Sequence, residues 1–158
     1  LIQKGILTFD KTKNDHRRVT FHDSCNVARG SNMGNIENGQ FILPREVIKA
    51  ACNHFADMPK ATIKGSTFCC GGGGGLLTDD LIELRIKGAM PRMQALKQSQ
   101  ENDGVNTLAA ICAICKSQFS KVLPNYDFDP YMIVSVHQLV SDALVLSDKS
   151  QTKAEDSL

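Results

Sequence analysis

Five of the six cysteines fall into three groups: Cys25, the adjacent Cys69 and Cys70, and Cys112 with Cys115. A thiolate is a soft metal ligand and the nucleophile of sulfur exchange, so grouped thiols point to metal or redox chemistry. A structural zinc takes four ligands in a tetrahedron, and its usual sequence form is a pair of CxxC-like knuckles. Only Cys112-Ala113-Ile114-Cys115 has that form here. Side chains of neighbouring residues on an extended chain point to opposite faces. Cys69 and Cys70 therefore reach one centre only where the backbone bends, and the run Gly71 to Gly75 permits that bend. Five sulfurs exceed what one zinc uses, whereas a multi-iron cluster has several metal atoms to share them. A dithiol-disulfide pair, Cys112 and Cys115 at a helix N-terminus, is a third possibility, and it leaves three thiols without a role. On spacing alone, all three stay open.

The glycine run is not a phosphate loop. A P-loop requires lysine followed by Ser or Thr, and Gly75 is followed by Leu76-Leu77-Thr78; the dinucleotide fingerprint fails as well, with Leu76 in the place of its third glycine. What remains is a nest of backbone N–H groups suited to an anionic centre, with Gly71 and Gly72 nearest the thiols. Arg29 and Lys116 flank two of the cysteine groups and are candidates to neutralise charge. His22, just before Asp23-Ser24-Cys25, is a candidate hydrogen-bond or proton donor. His54 and His137 fall on predicted helices and carry no constellation.

The elements that must position these groups are read from pattern. Residues 1–18 form an N-terminal arm with an edge strand at Leu7-Thr8-Phe9. Val19 to His22 is a strand feeding the first cysteine, and residues 25–43, rich in Gly and Asn, form an irregular loop. Pro44 opens a helix over 44–56 that carries Cys52 and leaves it outside the thiol set. Ala61 to Phe68 is a second strand leading into Cys69. Thr78, Asp79 and Asp80 start a helix to about Gln100, kinked or split by Gly88 and Pro91. Val105 to Ile111 is a nearly unbroken apolar run, a strand buried on both faces, which ends at Cys112. Lys116 to Leu123 continues as a helix, and Tyr131 to Leu146 favours a helix with ambiguity at 134–136. Residues 147–158 read as a disordered tail. Alternation of strands and helices predicts an α/β fold: a mainly parallel sheet with helices on both faces. The cysteines then converge at the C-terminal strand ends, where ligands bind in such sheets.

Composition sets the outer limits. With 158 residues, 42% apolar and 22% charged, the chain has the length and balance of one soluble domain with a single core. A formal charge of +1 gives no reason to expect nucleic acid as a partner. No apolar run reaches the roughly 18–20 residues of a spanning helix, and no signal peptide is visible. The six cysteines suit a reducing compartment. The first residue is leucine, which suits a part of a longer protein.

The residues His22-Asp23-Ser24-Cys25, Cys69-Cys70-Gly71-Gly72-Gly73 and Cys112-xx-Cys115 resemble the cysteine-rich CCG domain of heterodisulfide reductase subunits, over about residues 19–146. The phrase from His22 to Gly30 is most similar to the DsrK branch, and Ser24 stands where most relatives carry proline. The resemblance implies a non-cubane [4Fe-4S] cluster held by Cys25, Cys69, Cys70, Cys112 and Cys115, with one thiolate bridging irons. It also implies reduction of a disulfide or trisulfide on a small DsrC-like sulfur-carrier protein. Electrons would come from quinol through a membrane cytochrome subunit and cubane clusters in other parts of the complex. His22, Asn26 and Arg29 would position the incoming sulfur or supply a proton. The location implied is cytoplasmic, peripheral to the inner membrane. Within the same resemblance, some CCG domains hold zinc in place of the cluster, and others only relay electrons.

Overall fold

The structure, a computed structural model, describes residues 1–32, 36–75 and 77–146. In chain order the regular elements are β1 (Thr8–Phe9), β2 (Val19–Phe21), α1 (Cys25–Gly30), α2 (Gly39–Ala51), α3 (Ile82–Asp103), β3 (Thr107–Ala110), α4 (Ala113–Val122), β4 (Ile133–Ser135), α5 (Val136–Ala143) and β5 (Leu144–Val145). Strands β2, β3 and β4 form a parallel sheet in that order, and β1 pairs antiparallel with β5 in a separate two-stranded ribbon.

The central strand β3 explains the architecture. All four of its residues are buried, as its nearly unbroken apolar sequence predicts for a strand covered on both faces. Successive side chains alternate between faces, and here they enter two different cores. Leu108 packs with Met93 and Leu96 of α3 and Phe119 and Val122 of α4. Ala109 packs with Phe21, with Ile48 and Ala51 of α2, and with Leu139 of α5. Each fully buried Leu or Phe among them contributes about 1.5–3 kcal/mol by leaving water.

Four expectations are corrected. The segment 61–68 is not a strand: its backbone closes two short 3₁₀ turns, Lys60–Thr62 and Lys64–Ser66. Lys64 adopts a positive φ of 55°, and its N–H donates to the Asp23 carboxylate at 2.7 Å, so it is unavailable to a ladder. The place beside β2 is taken instead by a single bridge between Val19 and Phe55. The third strand is β4, inside the stretch read as helix, because Ser135 caps α5 by accepting the Gln138 N–H at 3.0 Å and helix begins only after it. Helix α2 starts at Gly39 and takes Pro44 into its interior, and α1 occupies part of the expected loop. Helix α3 runs unbroken through Gly88 and Pro91. The expected tail at 147–158 lies outside the described residues.

Candidate metal centre

Two of the three cysteine groups are set by the parallel pair β2–β3. The His22 N–H donates to the Ala109 carbonyl at 2.9 Å, so the ladder runs one residue past β2 and fixes His22 at the C-terminal edge of the sheet. The chain then enters α1 at Cys25. On the neighbouring strand, Cys112 occupies the N-cap position of α4 and Cys115 lies in its first turn. Burial pushes the Cys112 thiol up, but the backbone N–H groups of Cys115 and Ile114 and the Ser24 hydroxyl beside it outweigh burial and hold it below the ordinary thiol range. First-turn N–H groups without helical partners do this at any helix start.

The third group arrives on the irregular segment that replaced the expected strand, and side chains rather than a ladder hold that segment. Asp23 is the hub. Its carboxylate accepts two bonds from Arg45, at 2.8 and 2.9 Å, and the Lys64 N–H, while its carbonyl accepts the Thr67 hydroxyl at 2.7 Å. Arg45 also binds Asp57, which ties α2 to the same segment. Arg29 donates to the carbonyls of Gly65 and Thr67. Arg92, wholly buried in α3, donates to the Thr62 carbonyl and the Thr67 hydroxyl.

Past the thiols, the backbone passes so close to α3 that only glycine fits. Gly71 has φ +88°, and a Cβ there would lie 2.3 Å from the Arg85 carbonyl oxygen and 2.9 Å from the Ala89 nitrogen. A Cβ at Gly88, on the facing turn of α3, would meet the Gly71 Cα at 3.6 Å. The Gly71 N–H donates to Cys69 Sγ at 3.3 Å, which is the nest behaviour expected of the glycine run. Arg85 and Gln118, joined at 2.6 and 2.8 Å, fix α3 against α4 beneath this crossing.

The result is a group of neighbouring thiols. The sulfurs of Cys70 and Cys115 and a ring nitrogen of His22 all lie within 4.8 Å of one another, and all three residues are buried. Cys69 stands against Cys70 at the exposed end, and Cys112 stands against Cys115 at the half-buried end. The Cys115 thiol beside it and burial push the Cys70 thiol up to about 12, and Cys70 together with burial raises Cys69 further. His22 is held neutral, first by complete burial and then by the charge of Arg92, and neither ring nitrogen has a hydrogen-bond partner among the described residues. Its ring meets Phe119 edge-on at 4.8 Å.

Of the residues singled out in the sequence, Cys69, Cys70, Cys112, Cys115, Gly71 and His22 come together. A Cβ on Gly72 would touch Cys70 Sγ at 3.4 Å, so Gly72 belongs with them. Cys25 is half-buried at the start of α1, outside the 4.8 Å group. Asn26 is exposed on α1, and Arg29 is engaged with loop carbonyls. Cys52 lies at the end of α2 in the opposite core, outside the thiol set as expected. Asp23 was quoted within a motif but given no role, and Arg45, Arg85 and Arg92 were not picked out. Arg92 carried a signal all the same: a charged residue next to Met93 and three from Ala89, on the apolar stripe of a helix.

The chain matches the family model of the cysteine-rich domain CCG over residues 19–120. It is 44% identical over 147 residues to the Hdr-like menaquinol oxidoreductase iron-sulfur subunit 2 of Archaeoglobus fulgidus, covering 93% of this chain and 25% of that protein. The Hdr-like menaquinol oxidoreductase iron-sulfur subunit of Archaeoglobus profundus shows the same identity and coverage. A probable membrane-anchored ferredoxin of Chromohalobacter salexigens is 28% identical over 145 residues, 91% of this chain and 19% of that protein. The chain thus spans about a quarter or less of the length of these relatives. No solved structure matches it. The family model covers the strand that leads into Cys25, the glycine crossing and the whole thiol group, and on that ground the chain belongs to the CCG cysteine-rich domain family.

Proposed function

We propose that this domain is the electron-transfer and disulfide-reducing part of a larger oxidoreductase, holding an iron-sulfur cluster of the non-cubane [4Fe-4S] type. Cys25, Cys69, Cys70, Cys112 and Cys115 would hold it, with the N–H groups at Gly71 and Gly72 turned to its sulfur. The observation that carries the reading is the buried grouping of Cys70, Cys115 and His22 within 4.8 Å, beside a glycine nest, a helix N-terminus and a buried arginine. The N–H groups of the glycine nest and of the helix start, and the arginine, favour negative charge on sulfur, which a cluster of thiolates and sulfides has in excess. Iron-sulfur subunits among the relatives support the same cofactor class.

When bound, the cluster supplies single electrons to an S–S bond. The protein's own residues divide the remaining tasks. Cys69, the exposed thiol, marks the side from which a sulfur substrate approaches, and Asn26 on the exposed surface of α1 contacts it. Arg29 acts through the loop, keeping the Gly65 and Thr67 carbonyls fixed and with them the approach to Cys69. His22 lies behind the buried thiols, where its neutral ring offers an N–H to sulfur and keeps water out. The substrate proposed is a disulfide or trisulfide on a small DsrC-like sulfur-carrier protein. Electrons come from quinol through a membrane cytochrome subunit. Such a complex would hold this domain at the cytoplasmic side of the inner membrane through its partners. No helix among the described residues is long and apolar enough to cross a membrane.

The test is reduction of a small protein disulfide by the full-length complex under anaerobic conditions, compared with Cys70→Ala. Loss of S–S reduction in the variant, with quinol oxidation by the rest of the complex retained, is the expected outcome. Unchanged S–S reduction in Cys70→Ala contradicts the reading. A single zinc held by His22, Cys70 and Cys115 with one further thiol is the second reading their 4.8 Å grouping allows. It leaves two thiols unused, and zinc without acid-labile sulfide in the purified protein would favour it.

A further inference from the structure

The cation buried beside the thiols has no counter-charge of its own. Arg92 is 0% exposed, and a guanidinium keeps its proton at any physiological pH. All its hydrogen-bond acceptors are neutral: Met58 Sδ at 2.9 Å from Nη1, and the Thr62 carbonyl and Thr67 hydroxyl at Nη2. A thioether is a weak acceptor. Nε has no partner among the described residues, and the Phe68 ring lies 5.7 Å from the guanidinium carbon. Asp23 contributes attraction from a distance, but its carboxylate is committed to Arg45. An unpaired charge withdrawn from water is so unfavourable that folds which keep one normally supply its partner. The residues the guanidinium touches, Thr67 and Phe68, run directly into Cys69 and Cys70, so the thiols are the remaining groups placed to supply that partner.

We propose that Arg92 is the fixed counter-cation of the metal centre: thiolates of Cys69, Cys70 and Cys115 balance its charge in the loaded protein, and it raises the reduction potential of what they hold. This inference rests on the cluster reading given above. Reduction adds one electron to an already anionic centre, and no proton need move. A positive charge at fixed distance attracts the reduced form more strongly than the oxidised one, because Coulomb energy scales with the charge. Burial keeps that attraction from being screened by salt. Arg92 is thus a positioning and tuning residue rather than one that meets substrate.

The experiment is a potentiometric titration of the full-length loaded protein, followed by EPR, for wild type, Arg92→Gln and Arg92→Lys. Iron and sulfide are counted first, since a wild type without them sinks the cluster reading itself and is separate from a failure of this inference. Arg92→Gln is expected to make reduction at least tenfold less favourable, a fall of about 59 mV for one electron. Arg92→Lys, which keeps the charge, is expected to stay within that tenfold. A glutamine variant with full iron and sulfide and an unchanged potential overturns the inference. So does a lysine variant that shifts as far as the glutamine one, because packing rather than charge would then be responsible. Should Arg92→Gln fail to fold, Arg92→Lys decides alone: cluster and potential both kept supports the inference, and loss of either overturns it.

Discussion

The two faces of the sheet each bury a cysteine, and they give it different company. Cys52, at the end of α2, sits among Ile48, Leu139 and Val19, and its burial raises the thiol to about 11. On the other face, Cys70 is as deeply buried but lies beside two further thiols, a neutral histidine and the charge of Arg92. Burial alone makes a cysteine a small inert hydrophobe. What separates the site from the core is the company: Cys70 lies with a second thiol and a histidine and near a buried arginine, while Cys52 lies among aliphatic side chains.

The largest expected effect breaks this contrast directly. Cys70→Ala should remove the cluster signal and the bound iron and sulfide, while Cys52→Ala should leave both in place and lose only packing. Equal metal content in the two variants would erase the distinction between the faces. Next comes the scaffold. Asp23→Asn breaks a buried ion pair that is also the hub of the 57–67 segment, and leaves Arg45 with only the less buried Asp57, so chemical denaturation should show a loss of about 3 kcal/mol, the low end for a broken buried pair. A loss under about 1 kcal/mol would show that the segment is held some other way.

The glycine crossing offers a sharper pair. Gly71→Ala puts a Cβ 2.3 Å from the Arg85 carbonyl in a left-handed conformation, so left-handed strain of about 1–2 kcal/mol is joined by overpacking of about 1–3 kcal/mol. Gly74→Ala, with φ +70° and nothing within 4 Å, should show the strain alone. Equal losses at the two positions would mean that the close approach to α3 is not what requires Gly71.

The smallest effect is a pH dependence. Cys52 titrates near 11 in the fold against an ordinary 9.0, so the unfolded chain loses its proton first as pH rises. Its contribution to stability is whole below pH 9 and declines by about 2–3 kcal/mol as pH rises to 11. Cys52→Ala should remove that part of the alkaline decline, read as the difference between the two denaturation curves. Parallel curves between pH 9 and 11 would contradict the burial assigned to this thiol.

Much of the site was legible in the sequence because motif and strand end coincide at two of its three corners. Val19 to Phe21 and Thr107 to Ala110 are buried strands whose pattern is local, and Cys25 and Cys112 follow them within a few residues. At the third corner Cys70 lies with Cys115, but the segment that brings it there is not the strand expected. Residues 61–68 have the composition of a strand, yet their backbone bonds go to the Asp23 side chain and to turns, and such side-chain-to-backbone pairing over tens of residues leaves no periodic trace. Ile133-Val134 was ambiguous for the opposite reason, since a short β-branched run fused to an amphipathic helix fits either period. The charges that serve the site were hidden because an arginine on an apolar stripe looks like a pattern error until its neighbours are known.

The most direct measurement is the iron, zinc and acid-labile sulfide content of the anaerobically purified full-length protein, with its EPR spectrum, set against Cys70→Ala. The account requires iron and sulfide to fall together in the variant and one paramagnetic signal to vanish with them. Identical iron, sulfide and spectra in the two proteins, or zinc alone at this domain, would contradict it.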